Sequence, residues 1–171
     1  RKKVTIPLIL MGNINPVLRY GMENFCKKAS ETGIDGIILP DMPFDVYLEE
    51  YKLLFESNSL HNIALICPET TEERIRKIDK ESEGFIYMVA ASATTGAKAH
   101  IAQEQIDYFE RVQKMNLKNP RLIGFGISNK ETFERACMYS NGAIIGSAFI
   151  KALEQDGTLQ ERIGRFVKEV K

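Results

Sequence analysis

The stretch RLIGFGIS, residues 121–128, decides which fold the sequence favours. Its apolar run is typical of a buried strand, and Gly124 and Gly126 mark the point where that strand ends. A second apolar run, GAIIG (142–146), also ends in a glycine and leads into SAFIK. Because glycine has no Cβ, both strand ends predict that another group approaches the peptide backbone closely.

Similar short apolar runs recur along the chain and alternate with longer amphipathic stretches that have helical spacing. The runs are IPLILM (6–11), GIILP (36–40), NIALIC (62–67), GFIYMVA (84–90), RLIGF (121–125) and GAIIG (142–146). Strands buried on both faces have this composition, and their alternation with helices is typical of βα units in a parallel sheet. The sequence therefore predicts an α/β fold, with residues 1–171 forming a single domain.

Two architectures of such a sheet are compatible with the pattern. The units could form an open doubly wound sheet, or they could be most of an eight-unit (β/α)8 TIM barrel. Doubly wound nucleotide-binding folds usually carry GxGxxG after the first strand, whereas here the first run ends in MGNINP and the glycine-rich strand ends come last. This order favours a partial TIM barrel, in which the runs are strands 3–8 and the first two βα units precede Arg1.

Composition argues against several functional classes. Lys plus Arg and Asp plus Glu both total 23, so no net positive charge favours nucleic acid or an anionic membrane. No apolar run reaches the roughly 18 residues of a membrane span. The cysteines Cys26, Cys67 and Cys137 lack CxxC or Cys/His spacing, which predicts reduced core thiols in a cytoplasmic protein and no metal site.

The glycine-marked strand ends predict a phosphate site. TIM barrels commonly bind phosphate with the loops after strands seven and eight and the N-terminus of a short helix. Peptide N–H groups at Gly126 and Gly146 would face the anion, and a helix opened by Ser147 would add its dipole and a hydroxyl. Gly96, in TTGAK, follows the preceding run and could join them. The alternative for each glycine is an ordinary turn or helix cap.

Three other residues have two interpretations each. Asp41 directly follows IILP and could be a general base at the active face of a barrel, or could cap the next helix. Tyr87 and Phe125 could wall an apolar pocket, or could be ordinary core residues. Spacing alone does not separate these interpretations.

The motifs IILPDMPFD, SATTGA, LIGFGIS and AIIGSAFIK, in this order and spacing, resemble the α subunit of tryptophan synthase. The resemblance extends from IPLILM to the C-terminus. It implies a TIM-barrel lyase of tryptophan biosynthesis that cleaves indole-3-glycerol phosphate into indole and glyceraldehyde 3-phosphate. It also implies a heterotetramer, in which indole passes to a β subunit that holds pyridoxal phosphate, with no cofactor in this chain itself.

The resemblance also implies roles for single residues. The phosphate site falls on Gly96, Gly126, Gly146 and Ser147, and the substrate pocket on Asn13, Tyr87, Thr95 and Phe125. The residues expected to face the β subunit are Asn15, Pro16, Asp41 and Pro43. The resemblance therefore implies that Asp41 is an interface residue rather than a base.

The sequence departs from the family pattern at chemically relevant positions. The family's catalytic Glu and Asp lie at the end of the second strand and just after it, so both are expected before Arg1, and the catalytic residues within this chain are unknown. Asn13 replaces the usual aromatic residue of MxYxNP, and Ala93 replaces a hinge glycine of the closing loop.

These observations leave three functional interpretations. The first is an α chain with lyase activity. The second is a catalytically weak or silent α-type subunit that mainly binds and allosterically activates the β subunit. The third is a different phosphate-handling barrel, for which Asp41 and Glu69 are the available acid and base.

Overall fold

The computed structural model describes residues 3–90, 103–124 and 126–170. The strands are β1 (Ile9–Met11), β2 (Gly36–Ile38), β3 (His61–Asn62), β4 (Leu65–Ile66), β5 (Ile86–Val89), β6 (Arg121–Gly124) and β7 (Gly142–Ile144). The helices are α1 (Ile14–Tyr20), α2 (Met22–Thr32), α3 (Phe44–Val46), α4 (Lys52–Ser57), α5 (Glu72–Glu81), α6 (Gln103–Lys114), α7 (Lys130–Tyr139), α8 (Ser147–Leu153) and α9 (Leu159–Val170). A π-helical turn, Tyr47–Tyr51, joins α3 to α4.

The chain divides into two compact units. Unit 1 comprises Arg1–Leu65 and Glu73–Ile86, and unit 2 comprises Ile66–Glu72 and Tyr87–Lys171. One sheet has the strand order β1-β2-β3 and the other the order β4-β5-β6-β7. That the whole chain forms one domain stays a prediction.

Unit 1 is built on a parallel ladder of very short strands. Ile9 pairs with Gly36 and Met11 with Ile38, and β3 continues the ladder on the other side of β2. The Asp35 carboxylate accepts a 2.7 Å hydrogen bond from the Leu8 N–H, which fixes the start of β1 against β2. The core of this unit is mainly aliphatic and aromatic, and its fully buried side chains include Ile37, Phe55, Ile63, Ile75 and Ile78.

Unit 2 repeats the arrangement. β6 and β7 are parallel, and their register pairs Leu122 with Gly142 and Gly124 with Ile144. Helices cover the sheet with apolar faces whose most buried members are Phe109, Val112 and Ala136. The Phe149 and Phe166 rings, 5.3 Å apart, join α8 to α9. Within the described residues, no helix has both the length and the apolar character needed to cross a bilayer.

The NIALIC run forms two strands rather than one. β3 pairs with β2, whereas β4 belongs to the second sheet. The N–H of Ile63 still donates to the carbonyl of Ile37, 3.0 Å away, and the ladder with β2 ends there. One apolar run can therefore serve two sheets, because its residues are buried in either position.

The N-terminus of α7 is capped by Asn129 and not by the preceding Ser128. Ser128 stands before the helical run, but the N-cap is Asn129, whose side chain accepts a 2.9 Å hydrogen bond from the Thr132 N–H. The Thr132 hydroxyl accepts in return from the Asn129 N–H at 3.2 Å. Both residues are suitable caps, and the reciprocal bond from Thr132 decides between them.

The expectation that all three cysteines are core residues is right for Cys26 and wrong for Cys137. Cys26 is fully buried, but Cys137 is exposed on α7. The buried face of that helix contains Thr132 and Ala136, which are four residues apart, and Cys137 lies beside it. Cys67 is half-buried, with its Sγ 3.3 Å from the Thr70 hydroxyl.

We expect iodoacetamide at pH 8 to alkylate Cys137 in the folded protein and to leave Cys26 unmodified until the chain unfolds. Burial excludes the reagent from Cys26 and raises the pKa of its thiol to about 11, so little reactive thiolate forms. Peptide mass spectrometry measures the extent at each site, with Cys137→Ser as the control. Equal rates at Cys26 and Cys137 would contradict the packing of α2.

Candidate functional site

The loops after β6 and β7 leave the same edge of their sheet. The last paired residues of the two strands are Gly124 and Ile144, and Gly126 and Gly146 each lie two residues further along. Because the strands are parallel, this register carries both glycines past the same carboxyl edge. Both glycines are exposed, so the structure brings this predicted pair to one open edge of unit 2.

The two glycines differ in backbone conformation, and only that of Gly126 favours glycine. Gly126 has φ +80°, a left-handed conformation that favours glycine, and a Cβ on it would have no heavy atom within 4 Å. Gly146 has φ −106° and ψ −83°, and its Cβ would also meet nothing within 4 Å. Described protein atoms therefore leave room beside both backbones, and at Gly126 the backbone conformation itself calls for glycine.

Helix α8 opens at this edge with free backbone donors. Its N-cap is Gly146, which supplies no side-chain acceptor, and the Ile150 N–H bonds to the Gly146 carbonyl at 3.1 Å. The N–H groups of the three preceding residues thus have no acceptor within the helix. Ser147, the first helical residue, is exposed beside them. Such a cluster of N–H donors favours an anion.

The ring of Tyr87 packs against β6 and occupies the space that a side chain at Gly124 would fill. A Cβ on Gly124 would collide with the hydroxyl, Cζ and one Cε of the Tyr87 ring. Tyr87 is 6% exposed, and burial raises the pKa of its hydroxyl, so the group stays neutral at physiological pH. Beside it, the Ala90 N–H donates to the Gly124 carbonyl at 3.0 Å. Gly124 therefore serves the packing of Tyr87.

Arg111 of α6 fixes the loop that follows β4. Its guanidinium donates to the Pro68 carbonyl at 2.7 Å and to the Thr70 carbonyl at 3.0 Å. The same group lies 5.6 Å from the centre of the Tyr108 ring. The planar guanidinium thus holds two carbonyls of one loop in fixed positions.

The residues predicted to face a partner subunit share one edge of unit 1. Asn15, Pro16, Asp41 and Pro43 are all exposed, in the loops and helix start that follow β1 and β2. Asp41 joins these segments, because its two carboxylate oxygens lie 2.9 and 3.1 Å from the Ile14 N–H, which donates to them. The interpretation of Asp41 as a helix cap needs correcting: the helix it caps is α1, whereas the following helix has Pro43 at its N-cap.

The remaining predicted residues are distributed as follows. Asn13 is the exposed N-cap of α1 in unit 1, whereas Tyr87, Gly126, Gly146 and Ser147 belong to unit 2. Ala93, Thr95, Gly96 and Phe125 lie outside the described residues. Among the residues that are described, no group of three or more His, Cys, Asp or Glu side chains could hold a metal ion.

Two features of the structure were missed by sequence reasoning. One is the contact between Tyr87 and Gly124, for which the only sequence signal is a second glycine in GFG. The other is a cavity of about 270 Å³ in unit 1, lined by Asn62 and by the loop that contains Asp41 and Pro43. A polar residue within the otherwise apolar run NIALIC is the one hint of it.

The chain is similar to known proteins in both sequence and structure. The model of the family described as tryptophan synthase alpha chain matches residues 1–170. The tryptophan synthase alpha chain of Flavobacterium psychrophilum is 55% identical over 99% of this chain and 66% of its own length. The chain thus spans about two thirds of the length of the curated relatives it matches.

Solved structures give the same likeness. The tryptophan synthase α-subunit of Pyrococcus furiosus superposes with a TM-score of 0.85 at 29% identity, covering 99% of this chain and 68% of that one. The tryptophan synthase complex from the same organism gives 0.84 at 28% identity, with the same coverage. Together with the parallel sheets, these likenesses confirm the prediction of a partial TIM barrel.

Proposed function

The chain belongs to the tryptophan synthase alpha chain family, and on this basis we propose that it serves as a cytoplasmic lyase in tryptophan biosynthesis. The proposed reaction is the retro-aldol cleavage of indole-3-glycerol phosphate to indole and glyceraldehyde 3-phosphate. In it, an acid protonates the indole ring carbon, a base takes the glycerol hydroxyl proton, and the bond between ring and side chain breaks. Because the chain spans about two thirds of its relatives, the whole reaction is proposed for a protein that also carries the remaining third.

The phosphate group of the substrate is bound, in this proposal, at the carboxyl edge of β6 and β7. The observation that carries it is the register that takes Gly126 and Gly146 past one edge, beside the first N–H groups of α8. Backbone donors and the Ser147 hydroxyl suit a phosphate dianion, because they supply several hydrogen bonds without a competing negative charge. Gly96, outside the described residues, completes the proposed set.

The indole ring occupies, in this proposal, the apolar space walled by Tyr87 and Phe125, with Thr95 in the loop that closes over the substrate. Support comes from Tyr87, which is buried and whose ring is positioned by the missing side chain of Gly124. Asn13, a polar amide where the family usually has an aromatic ring, stays a prediction for the substrate pocket.

The partner is proposed to be a tryptophan synthase β-type subunit that holds pyridoxal phosphate and receives indole. It would contact the edge of unit 1 that exposes Asn15, Pro16, Asp41 and Pro43. The hydrogen bond from the Ile14 N–H to Asp41 supports this, because it holds the two contributing segments in one arrangement before a partner binds. A tryptophan synthase complex is also among the solved structures that this chain resembles.

The experiment measures indole release from indole-3-glycerol phosphate with the β-type subunit present. It compares the 171-residue chain with the same chain joined to the N-terminal third of the F. psychrophilum relative. We expect release by the joined protein and at most traces from the chain alone, because the expected acid and base lie in the added third. If the joined protein releases no indole, the lyase proposal is wrong.

The same mixture tests the silent-activator alternative, which neither the family model nor the relative's name favours. That alternative expects faster tryptophan synthesis from indole and serine by the β-type subunit, with no indole release from the phosphorylated substrate. The proposal made here expects both activities.

A further inference from the structure

A side-chain amide of α6 holds the carboxyl end of β5. Gln105, in the first turn of α6, donates a hydrogen bond from its Nε2 to the Ala90 carbonyl, 2.5 Å away. Ala90 directly follows the last residue of β5 and is only 4% exposed, so its carbonyl has little access to water. Because a buried carbonyl without a donor is unfavourable, the Gln105 amide satisfies a group that the strand end would otherwise leave unpaired.

The other backbone group of Ala90 is bound to the neighbouring strand. Its N–H donates to the Gly124 carbonyl, the last residue of β6, at 3.0 Å. Ala90 is therefore held through both of its backbone groups, by α6 on one and by β6 on the other. These two bonds fix the point at which the chain leaves β5, and they tie it to the end of β6.

These bonds lie between the residues proposed to bind the two ends of the substrate. Tyr87, three residues before Ala90, has its ring in the space that a side chain at Gly124 would fill. Gly126, two residues after Gly124, has the exposed backbone that is proposed to face the phosphate. A shift of the β5 end would therefore move both the apolar wall and the phosphate loop, and displacements of about 1 Å are enough to impair an active site.

We propose that Gln105 is a positioning residue for the cleavage reaction, which holds the carboxyl ends of β5 and β6 in the arrangement that binds substrate without touching the substrate itself. The inference rests on the proposed function and adds to it a residue that lies outside the motifs of the family resemblance. Another side chain of α6 supports it, because Arg111 donates to two carbonyls of the loop after β4. Helix α6 thus supplies donors to the backbone at the carboxyl ends of two neighbouring strands.

The proposal predicts which kinetic parameter depends on Gln105. The phosphate does not react, and the wall at Tyr87 contacts the body of the indole ring, so both bind the substrate and the transition state almost equally. Loss of their alignment should raise KM and leave kcat nearly unchanged. Loss of folded protein has a different effect, because it lowers the concentration of active enzyme, and with it the apparent kcat, at an unchanged KM.

Steady-state indole release by the protein joined to the N-terminal third, with the β-type subunit present, tests the proposal. Gln105→Glu keeps the shape of the side chain but has no N–H to donate, and Gln105→Leu removes the donor without adding a charge. We expect each to raise KM for indole-3-glycerol phosphate about 10-fold, with kcat changed less than about 2-fold.

Gln113→Glu is the matched control. Gln113 lies on the same helix and also donates to a backbone carbonyl, that of Met138 at 3.1 Å, but this carbonyl belongs to α7 rather than to a strand end. The same substitution there removes a comparable hydrogen bond, and its KM should equal that of the wild type. Thermal unfolding of every variant shows that the assay is made on folded protein.

The outcomes separate this inference from the proposed function. If the wild-type joined protein releases indole and the Gln105 variants keep its KM, or lose kcat alone, Gln105 is a structural residue and the proposed function stands. The same conclusion follows if the Gln105 variants are unfolded at the assay temperature while Gln113→Glu is folded. If the wild-type joined protein releases no indole, the proposed function and the role of Gln105 both fail.

Discussion

Replacement of Gly124 by alanine is expected to lower the free energy of unfolding by about 3 kcal/mol, the upper range for forcing an extra methyl group into a packed core. The new Cβ would coincide with the Tyr87 ring, which is enclosed and cannot swing into solvent. The substrate pocket proposed around Tyr87 should deform together with the core. Urea denaturation monitored by circular dichroism measures the change.

A second substitution at Tyr87 should reverse much of this loss. Tyr87→Val alone removes the ring and is expected to destabilise by about 3 kcal/mol, but combined with Gly124→Ala it makes space for the new methyl group. The two effects should be non-additive by about 2 kcal/mol in a double-mutant cycle. Strict additivity would show that the two residues do not compete for space.

Gly164 in α9 provides the control, because a methyl group added there would collide with no other atom. A Cβ there meets no heavy atom within 4 Å, and alanine is the better helix former. Gly164→Ala should therefore stabilise by up to about 1 kcal/mol. A comparable loss at Gly164 and Gly124 would mean that the collision with Tyr87 is not the cause.

Replacement of Gly126 by aspartate is expected to weaken phosphate-ligand binding by about 2 kcal/mol, roughly 30-fold, while the fold survives. The estimate is the repulsion between a carboxylate and a phosphate dianion about 6 Å apart at effective dielectric constants between those of protein and water. Because repulsion between exposed charges is screened, the loss should diminish as salt is added. Calorimetric titration with glyceraldehyde 3-phosphate measures the affinity.

The matched control is Gly126→Asn, which has the same shape without the charge. The left-handed conformation at Gly126 strains most side chains, but Asn and Asp both tolerate it better than other residues. The difference between the two variants therefore isolates electrostatics from backbone strain. Equal affinities of the Asp and Asn variants would count against a phosphate beside Gly126.

The sequence predicted the elements well because their signals are local. Short aliphatic runs bounded by turn residues identified the strands, and a glycine at 146 followed by Ser147 identified the start of α8. The register of β6 and β7 takes the loops that contain Gly126 and Gly146 to one edge of the sheet, and their binding of phosphate stays a prediction. The bounds of these strands and the start of α8 depend on residues only a few positions away.

The sequence failed where a role depends on a distant residue. Gly124 is needed because of Tyr87, and Asp41 caps a helix that begins 27 residues earlier in the chain. Cys137 has helical spacing with apolar neighbours, yet the buried stripe of α7 is too narrow to include it. In each case the deciding contact is tertiary, and no local pattern encodes it.

The bonds from Arg111 to the carbonyls of Pro68 and Thr70 couple the integrity of α6 to the loop after β4. Local opening of the helix would release both carbonyls, so helix and loop should behave as one cooperative unit in amide hydrogen exchange. A lysine at this position has one ammonium group and cannot hold two carbonyls in a plane. Even the conservative exchange Arg111→Lys would therefore let the loop exchange independently of the helix.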